Sequence, residues 1–189
     1  MNFVTHRVSG PDDEPVTLEE FKLHIRHDSD IGVVEDTLLA SWLKAAREYC
    51  EGYTGRAVSD SLWQTTVIDH DGGDLRLYRS PVLQIVSVHT VAADGTTTEV
   101  DAADYALHED DRYPRLVGVA AADEVRVRFR AGYVDTVSSP TTGEIPEAFR
   151  SAILLVAEAY YSRNERMMPI LMNAATALMR DLRAALQLA

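Results

Sequence analysis

The spacing of apolar residues changes twice along this 189-residue sequence, and that change restricts the possible folds most. Before Gly55 and after Gly143, apolar residues recur at steps of three and four, the period of an amphipathic α-helix. Between these points they alternate with polar residues, as in strands with one buried face. The sequence therefore predicts an α+β fold, in which a bundle of about four helices carries an inserted antiparallel β meander, or lobe.

The central helix of the predicted bundle covers residues 35–56. One face carries an apolar stripe of Leu39, Trp42, Ala46, Tyr49 and Tyr53. The other side is charged and is predicted to face solvent; it comprises Glu35, Asp36, Lys44, Arg47, Glu48 and Glu51. Gly55 follows the last apolar residue and can take the left-handed conformation that ends a helix.

Three more helices complete the predicted bundle. The first lies within residues 16–26, where Thr17 and Glu20 have the spacing of a capping box. The third starts near Pro146 and has a stripe of Phe149, Ile153, Val156 and Tyr160. The fourth starts at Pro169 and has a stripe of Leu171, Ala175, Leu178, Leu182 and Leu186. The second and third helices are predicted to pack together across the insertion.

Short strands are predicted between the helical segments, at residues 62–69, 75–78, 83–91, 97–100, 105–108, 115–119 and 124–130. The turn-forming pair Asp94-Gly95 joins two of them as a hairpin. These patterns divide the chain into an N-terminal arm at 1–15, a helical bundle formed by 16–56 and 144–189, and an inserted β lobe at 57–143.

The charge of the chain restricts its partners. Lys and Arg total 18 against 30 Asp and Glu, which gives a net charge of −12. Such a chain does not hold nucleic acid by neutralising many phosphates, so any contact with DNA is predicted to be loose. A row of Arg126, Arg128 and Arg130 fits either an acidic partner or the solvated face of an antiparallel strand. The acidity of the whole chain favours the solvated face.

The sequence lacks the motifs of common catalytic and cofactor sites, among them HExxH, GxSxG, CxxC, GxGxxG and the P-loop. The one candidate metal cluster consists of His24, His27, Asp28 and Asp30. It lacks a third nitrogen or sulfur ligand at a recognised spacing. We therefore predict no enzymatic activity, no catalytic residue, no cofactor and no metal.

Cys50 is the only cysteine in the sequence. Because it lies inside a predicted helix, we expect its side chain to act as a small buried apolar group. A chain without a disulfide fits a reducing, intracellular origin. No apolar run is long enough to cross a bilayer, and the first residues lack the apolar region of a signal peptide. The chain is predicted neither to span a membrane nor to be exported by that route.

Several segments follow one another in a recognisable order. They are VTLEEFKLHIR at 16–26, AAREYCEGYTGR at 45–56, the strand with Trp63, LRLYRSPVLQIVSV at 75–88, the Asp94-Gly95 hairpin, Asp104-Tyr105, VRVRFRAGYVD at 125–135 and IPEAFRSAILLVAEAYYSRNE at 145–165. In this order the chain resembles the head-tail connector, or adaptor, proteins of tailed bacteriophages, in the long form with a β insertion that also occurs in gene transfer agents. The resemblance excludes the first fifteen residues and weakens after Met168.

The resemblance implies a structural virion protein that forms a homo-oligomeric ring, commonly twelvefold in that family, at the head-tail interface. Such a ring binds the portal protein on one side and a tail-side stopper or tail protein on the other. Double-stranded DNA passes through its bore without sequence-specific binding. The resemblance also implies assembly in the host cytoplasm and no contact with a membrane.

The surface predicted to contact the portal lies where the third helix ends and the fourth begins, because aromatic, arginine and methionine residues come together there. It comprises Tyr160, Tyr161, Arg163, Arg166, Met167, Met168, Leu171 and Met172. Methionine suits an adaptable docking surface, but it fills gaps inside a bundle equally well. The sequence leaves these two roles of the methionines open.

Two other functions are compatible with the sequence. Another ring component of the virion, such as a stopper or a tail terminator, fits the acidity and the β content. It fits the paired flanking helices less well. A small hydrolase with a helical frame and a β lid would require a concave pocket lined by convergent ionisable groups.

Overall fold

The computed structural model describes residues 2–26, 33–109, 114–133, 144–162 and 164–183. Within these ranges the chain forms four helices: α1 (Leu18–His24), α2 (Val33–Thr54), α3 (Glu147–Ser162) and α4 (Met167–Leu178). The same ranges contain eight strands: β1 (Asn2–Ser9), β2 (Ser61–His70), β3 (Leu75–Arg76), β4 (Val82–Val91), β5 (Thr97–Glu99), β6 (Ala106–His108), β7 (Arg115–Val117) and β8 (Ala122–Ala131).

The predicted α+β class, with about four helices and an antiparallel β insertion, is confirmed. Each predicted helix and strand is present with similar bounds. The last helix is shorter than predicted, because α4 ends at Leu178 and Leu182 lies in the turn that follows. Leu186 lies outside the described residues.

The strands form two antiparallel sheets in the described part of the chain, with the orders β1-β2-β8-β4-β5 and β3-β7-β6. The strands therefore do not follow one another as a simple meander. β8 pairs with both β2 and β4 and lies in the middle of the larger sheet. It suits this position because Val125, Val127 and Phe129 are fully buried and need neighbouring strands on both sides.

The strand β1 is not predicted by the sequence. It lies in the segment described above as an arm, and it pairs with β2 at the edge of the larger sheet. Phe3, Val4 and Val8 are exposed there, so β1 lacks the alternation of buried and exposed residues that marks a strand. Long-range pairing with β2 stabilises it instead.

Two hydrophobic cores are present. The helical core joins α1, α2, α3 and α4 through residues that include Phe21, Leu39, Ala46, Cys50, Phe149, Ile153, Val156 and Ala175. The β core lies between the sheets and includes Trp63, Val67, Leu75, Val88, Leu116, Val125, Val127 and Phe129. The predicted packing of α2 against α3 is thus present, and most of the predicted apolar stripes point into the helical core.

The charged side of α2 is not fully solvated, which corrects the sequence prediction. Arg47 and Glu51 are 0% and 2% exposed, respectively. Arg47 binds the carboxylate of Glu14 at 2.7 Å and that of Glu51 at 2.8 Å. Glu51 also pairs with Arg7 of β1 and accepts the N–H of Val58 at 3.0 Å. The two residues are buried because β1 and the loop before α1 pack over this side of α2.

Gly132 marks the place where the β lobe returns to the bundle. A Cβ at this position would lie 2.3 Å from the backbone of Ser59, and the φ angle is +140°. Only glycine fits such a close backbone approach. The approach brings the end of β8 against the chain that leaves α2, so the two connections between bundle and lobe run side by side.

Candidate functional site

α4 carries an exposed apolar face. Its sequence, MMPILMNAATAL, contains no charged residue, although 25% of the chain is charged. Its inner side is buried through Leu171 and Ala175. The adjoining side exposes residues at helical spacing, which we call the α4 stripe: Met167, Ile170, Ala174, Ala177 and Leu178. Ile170 is 59% exposed and Leu178 is 43% exposed. An apolar face of this kind marks an interaction surface.

The turn between α3 and α4 holds the start of this face in place. The side-chain oxygen of Asn164 accepts the N–H groups of Arg166 and Met167 at 3.0 and 3.3 Å. These bonds satisfy donors that a helix start leaves free. Pro169 lies in the first turn, where its missing N–H costs no helical hydrogen bond. α4 then packs back along α3.

The structure separates the residues predicted to contact the portal into two groups. Tyr161, Met167 and Met168 are 37%, 41% and 38% exposed, and Arg166 is exposed beside them. Leu171 is buried between the helices, while Tyr160 and Met172 are partly buried against the helical core. Arg163 lies outside the described residues. The contact with the portal itself stays a prediction.

Burial affects the hydroxyl of one residue of the second group. It raises the pKa of Tyr160, and the neighbouring Tyr49 and Cys50 add to this rise. Tyr160 is partly buried against the helical core. Tyr161 instead contacts the ring of Trp42 edge-on, with 5.9 Å between centroids, at the surface.

The methionines occupy two environments. Met179 is fully buried in the helical core, and Met172 packs against it, as expected of methionines that fill gaps in a bundle. Met167 and Met168 are exposed at the start of α4, and their role in docking stays a prediction. The candidate surface predicted from the sequence lacks Ile170, Ala174, Ala177 and Leu178. Their spacing relative to Met167 and the lack of charge in α4 are the signals that could have found them.

Other exposed apolar residues lie near the end of α3. The end of α1 and the start of α2 meet there through an ion pair of 2.6 Å between Lys22 and Asp36. His24 of α1 binds Glu158 of α3 at 2.9 Å. Leu23 and Leu38 are exposed beside these contacts. This end of the bundle therefore combines charged pairs with uncovered leucines.

The arginine row of β8 lies on the outer face of the larger sheet, as predicted. Arg130 forms two hydrogen bonds with Asp60, at 2.9 and 2.6 Å, and these raise the pKa of Arg130. Arg128 binds the side-chain oxygen of Gln64 at 2.9 Å. Arg126 pairs with the adjacent Glu124. Two of the three guanidinium groups thus already have carboxylate partners, which agrees with the solvated-face interpretation.

A cavity of about 360 Å³ lies between the N-terminal loop, the start of β2 and the end of β8. Asp12, Asp13, Glu14, Asp60 and Arg130 are among its lining residues. Asp60 is occupied by Arg130, and Glu14 is occupied by Arg47, so neither carboxylate is poised for proton transfer. Three of the five charged groups that line the cavity are therefore held in ion pairs, which gives a hydrolase no support.

The metal cluster proposed by sequence spacing falls partly outside the described residues, which omit His27, Asp28 and Asp30. In the part of the chain that the structure describes, no three His, Cys, Asp or Glu side chains are grouped to hold a metal ion. None of the described helices is both long and apolar enough to cross a membrane.

Comparisons with known proteins place these features in context. No family model and no curated protein matches the sequence. Solved structures do match. The chain is similar to a protein in the neck of an empty gene transfer agent particle computed with C6 symmetry, with a TM-score of 0.77, 25% identity and coverage of 98% of each chain.

A protein in the virion of a native gene transfer agent particle matches with a TM-score of 0.77 and 26% identity, over 98% of this chain and 97% of that chain. One in the neck of a native particle computed with C12 symmetry matches with a TM-score of 0.71 and 24% identity, over 98% of each chain. The 24% identity of this last structure supports a shared fold and nothing further. Together these structures confirm the resemblance to head-tail connector proteins, because this chain has the fold of a gene transfer agent neck protein from end to end.

Proposed function

We propose that this protein is a head-tail connector, a non-enzymatic structural component of a virion neck. In this proposal its copies form a ring between the portal and the tail-side proteins, and DNA passes through the bore. The bundle of residues 16–56 and 144–189 serves as the frame of each subunit. Residues 57–143 form the inserted lobe, and residues 1–15 form the arm that joins them.

The likeness in fold carries this proposal. Two of the similar structures share 25% and 26% sequence identity with this chain, so the likeness extends beyond the fold. They match over 98% of this chain and therefore include both the bundle and the lobe. The C6 and C12 symmetries used for the similar necks support a ring of identical copies. A location at the head-tail interface of a virion follows from the same likeness.

The exposed start of α4 supports a contact with the portal. Tyr161, Met167 and Met168 are exposed together with Arg166, and such aromatic, methionine and arginine side chains are favoured in interface centres. The net charge of −12 supports the passage of DNA, because attractive contacts with phosphates would hold the duplex back. The tail-side partner contacts a different surface of the ring.

The alternatives have less support. A stopper or a tail terminator is a ring component too, but the paired helices on both sides of the insertion fit the connector better. A hydrolase lacks an observation in its favour, since Asp60 and Glu14 of the cavity are each held in an ion pair with an arginine.

The test is assembly with the portal protein of the same particle. We expect native mass spectrometry and negative-stain imaging to show a closed ring of this protein bound to the portal. A monomer alone is compatible with the proposal, because some rings form only on a template. A protein that stays monomeric in the presence of the portal would refute it.

A pair of variants tests the portal contact separately. Met168→Asp should weaken binding to the portal at least about tenfold, since it places a charge in an apolar contact. Val86→Asp is the matched control, because Val86 is 48% exposed against 38% for Met168 but lies in the β lobe. Equal binding by both variants would exclude the start of α4 as the portal contact.

A further inference from the structure

The side of α4 offers a second surface, distinct from its start. Ile170, Ala174 and Leu178 follow one another along the helix and are exposed. They form one continuous strip that adjoins the buried side of α4, which carries Leu171 and Ala175. In the described residues no helix or strand covers this strip. The strip contains no charged residue, although the chain has 30 acidic residues. The strip is therefore suited to an apolar partner.

The exposed face of α2 has a complementary shape. Its residues Leu38, Ser41, Ala45 and Gly52 are exposed and follow the helical period. Three of them are small, and nothing lies within 4 Å of a Cβ built at Gly52. Small residues let a second helix approach closely, and larger side chains such as Ile170 and Leu178 can fill the resulting groove. Lys44 and Glu48 border this face, and Glu48 pairs with Arg7 of β1.

The two faces are carried by helices that flank α3, because α3 packs against both α2 and α4. Neighbours in a sixfold or twelvefold ring differ by a rotation of only about 60° or about 30°. A ring of that order therefore requires two different contact surfaces on different sides of one subunit. The exposed faces of α2 and α4, which lie on either side of α3, are suited to this requirement.

We propose that the exposed side of α4 in one copy docks on the exposed face of α2 in the next copy, and that this contact closes the ring. The proposal rests on the connector function, because it names the surfaces through which that ring forms. Its occupant is a second copy of this chain, since the similar necks have cyclic symmetry and the contact is of the head-to-tail type that rings use. The start of α4 stays free for the portal.

Two blocking variants test this arrangement. Ile170→Asp places a charge on the α4 side, and Ala45→Asp places one on the α2 face. Both positions are exposed, so both variants should fold with the far-UV circular dichroism and melting temperature of the wild type. Ala121→Asp, at an exposed position of the β lobe, is the matched control. We expect each blocking variant, but not the control, to lower the fraction of protein in rings at least about tenfold.

Mixing the two blocking variants gives the decisive result. Each retains the surface that the other has lost, so a one-to-one mixture should form dimers that cannot extend into rings. Native mass spectrometry in the presence of the portal detects these dimers. If Ile170→Asp loses its rings while Ala45→Asp keeps them, the proposal is overturned, because a surface other than the α2 face then receives α4. Rings that persist with either blocking variant would overturn it as well and leave the connector function standing.

Failure of the wild type to form rings in the presence of the portal would refute the connector function together with this contact. Rings that form normally with Ile170→Asp but no longer bind the portal would assign the α4 side to the portal, which also overturns the proposal. The two hypotheses can therefore be separated by comparing the wild type with the variants in one experiment.

Discussion

At the scale of single residues, the carboxylate of Glu51 has the most demanding environment. It is almost fully buried, and it receives hydrogen bonds or ion pairs from Arg7, Arg47 and the N–H of Val58. Burial of Arg47 disfavours its charged form and lowers its pKa. The hydrogen bond to Glu14 and the negative charges of Glu14 and Glu51 outweigh this effect of burial, so the pKa of Arg47 is raised. A buried ion pair of this kind is costly to break from one side.

We expect Glu51→Ala to lower the free energy of unfolding by about 3–5 kcal/mol, because it leaves two guanidinium groups without their buried counter-ion. Chemical denaturation measures this change. Glu48→Ala is the control: Glu48 borders the same cluster but is half exposed, so its loss should cost about 1 kcal/mol or less. Equal effects of both variants would contradict the role assigned to burial.

Cys50 gives a second prediction at this scale. Burial, with a contribution from the charge of Glu51, raises the pKa of its thiol to about 12. The thiolate is therefore scarce at pH 8, and the side chain is inaccessible. We expect a thiol reagent to leave the native protein unlabelled at pH 8 and to label it fully after unfolding. Fast labelling of the native protein would show that the helical core opens readily at α2.

At the scale of elements, local signals account for where α1 begins. The side chain of Thr17 accepts the N–H of Glu20 at 3.2 Å, and the side chain of Glu20 accepts the N–H of Thr17 at 2.7 Å. This is the capping box that the sequence predicts. Glu20 also pairs with Arg150, which ties the start of α1 to α3.

The capping box makes the stability of α1 dependent on pH. The hydrogen bond from the backbone of Thr17, helped by Arg150, lowers the pKa of Glu20 below the ordinary glutamate value of 4.5. The unfolded chain therefore binds a proton more readily than the folded one, so this contribution is present above pH 4.5 and is lost as the pH falls below it. We expect thermal unfolding of Glu20→Gln to vary less with pH in that range than that of the wild type.

Thr17→Ala provides the control for this prediction. It removes the side-chain half of the box and should destabilise the protein by about 1 kcal/mol at neutral pH. It keeps the backbone N–H that lowers the pKa of Glu20, so most of the pH dependence should remain. A Glu20→Gln variant as sensitive to acid as the wild type would assign the effect to another carboxyl group.

At the scale of the whole molecule, the helical core and the β core meet at a buried polar junction. Arg7 links β1 to α2, Arg56 binds Tyr133 at 3.1 Å, and Gly132 lies against Ser59. If one core unfolded alone, buried charges of the other would lose their partners. The two cores should therefore unfold together.

We expect the fluorescence of Trp63 in the β core, measured in a Trp42→Phe background, to change at the same denaturant concentration as the helical circular dichroism. Arg7→Ala should lower both midpoints and separate them, because it removes the link between β1 and α2. Arg115→Ala is the control, since Arg115 pairs with Asp74 at the surface of the small sheet. Separate transitions in the wild-type protein would mean that the junction does not couple the cores.

The sequence by itself determined the four helices, seven of the strands and the class of fold, because these follow from local period, capping and turn residues. It also determined the burial of Cys50 and the outward row of Arg126, Arg128 and Arg130, since both follow from position within one element. The resemblance to head-tail connectors rested on the order of these same elements.

Only the tertiary structure decided the rest. β1 forms because β2 is beside it, and β8 lies between β2 and β4 because pairing between distant strands sets the order of a sheet. Arg47 and Glu51 look like solvent-facing charges until β1 and Glu14 cover them. The apolar spacing of α4 does not reveal which of its apolar residues are buried. The packing of α4 on α3 buries Leu171 in the core and leaves Ile170 at the surface. Contacts between distant residues make these choices, and the local pattern of a sequence does not contain them.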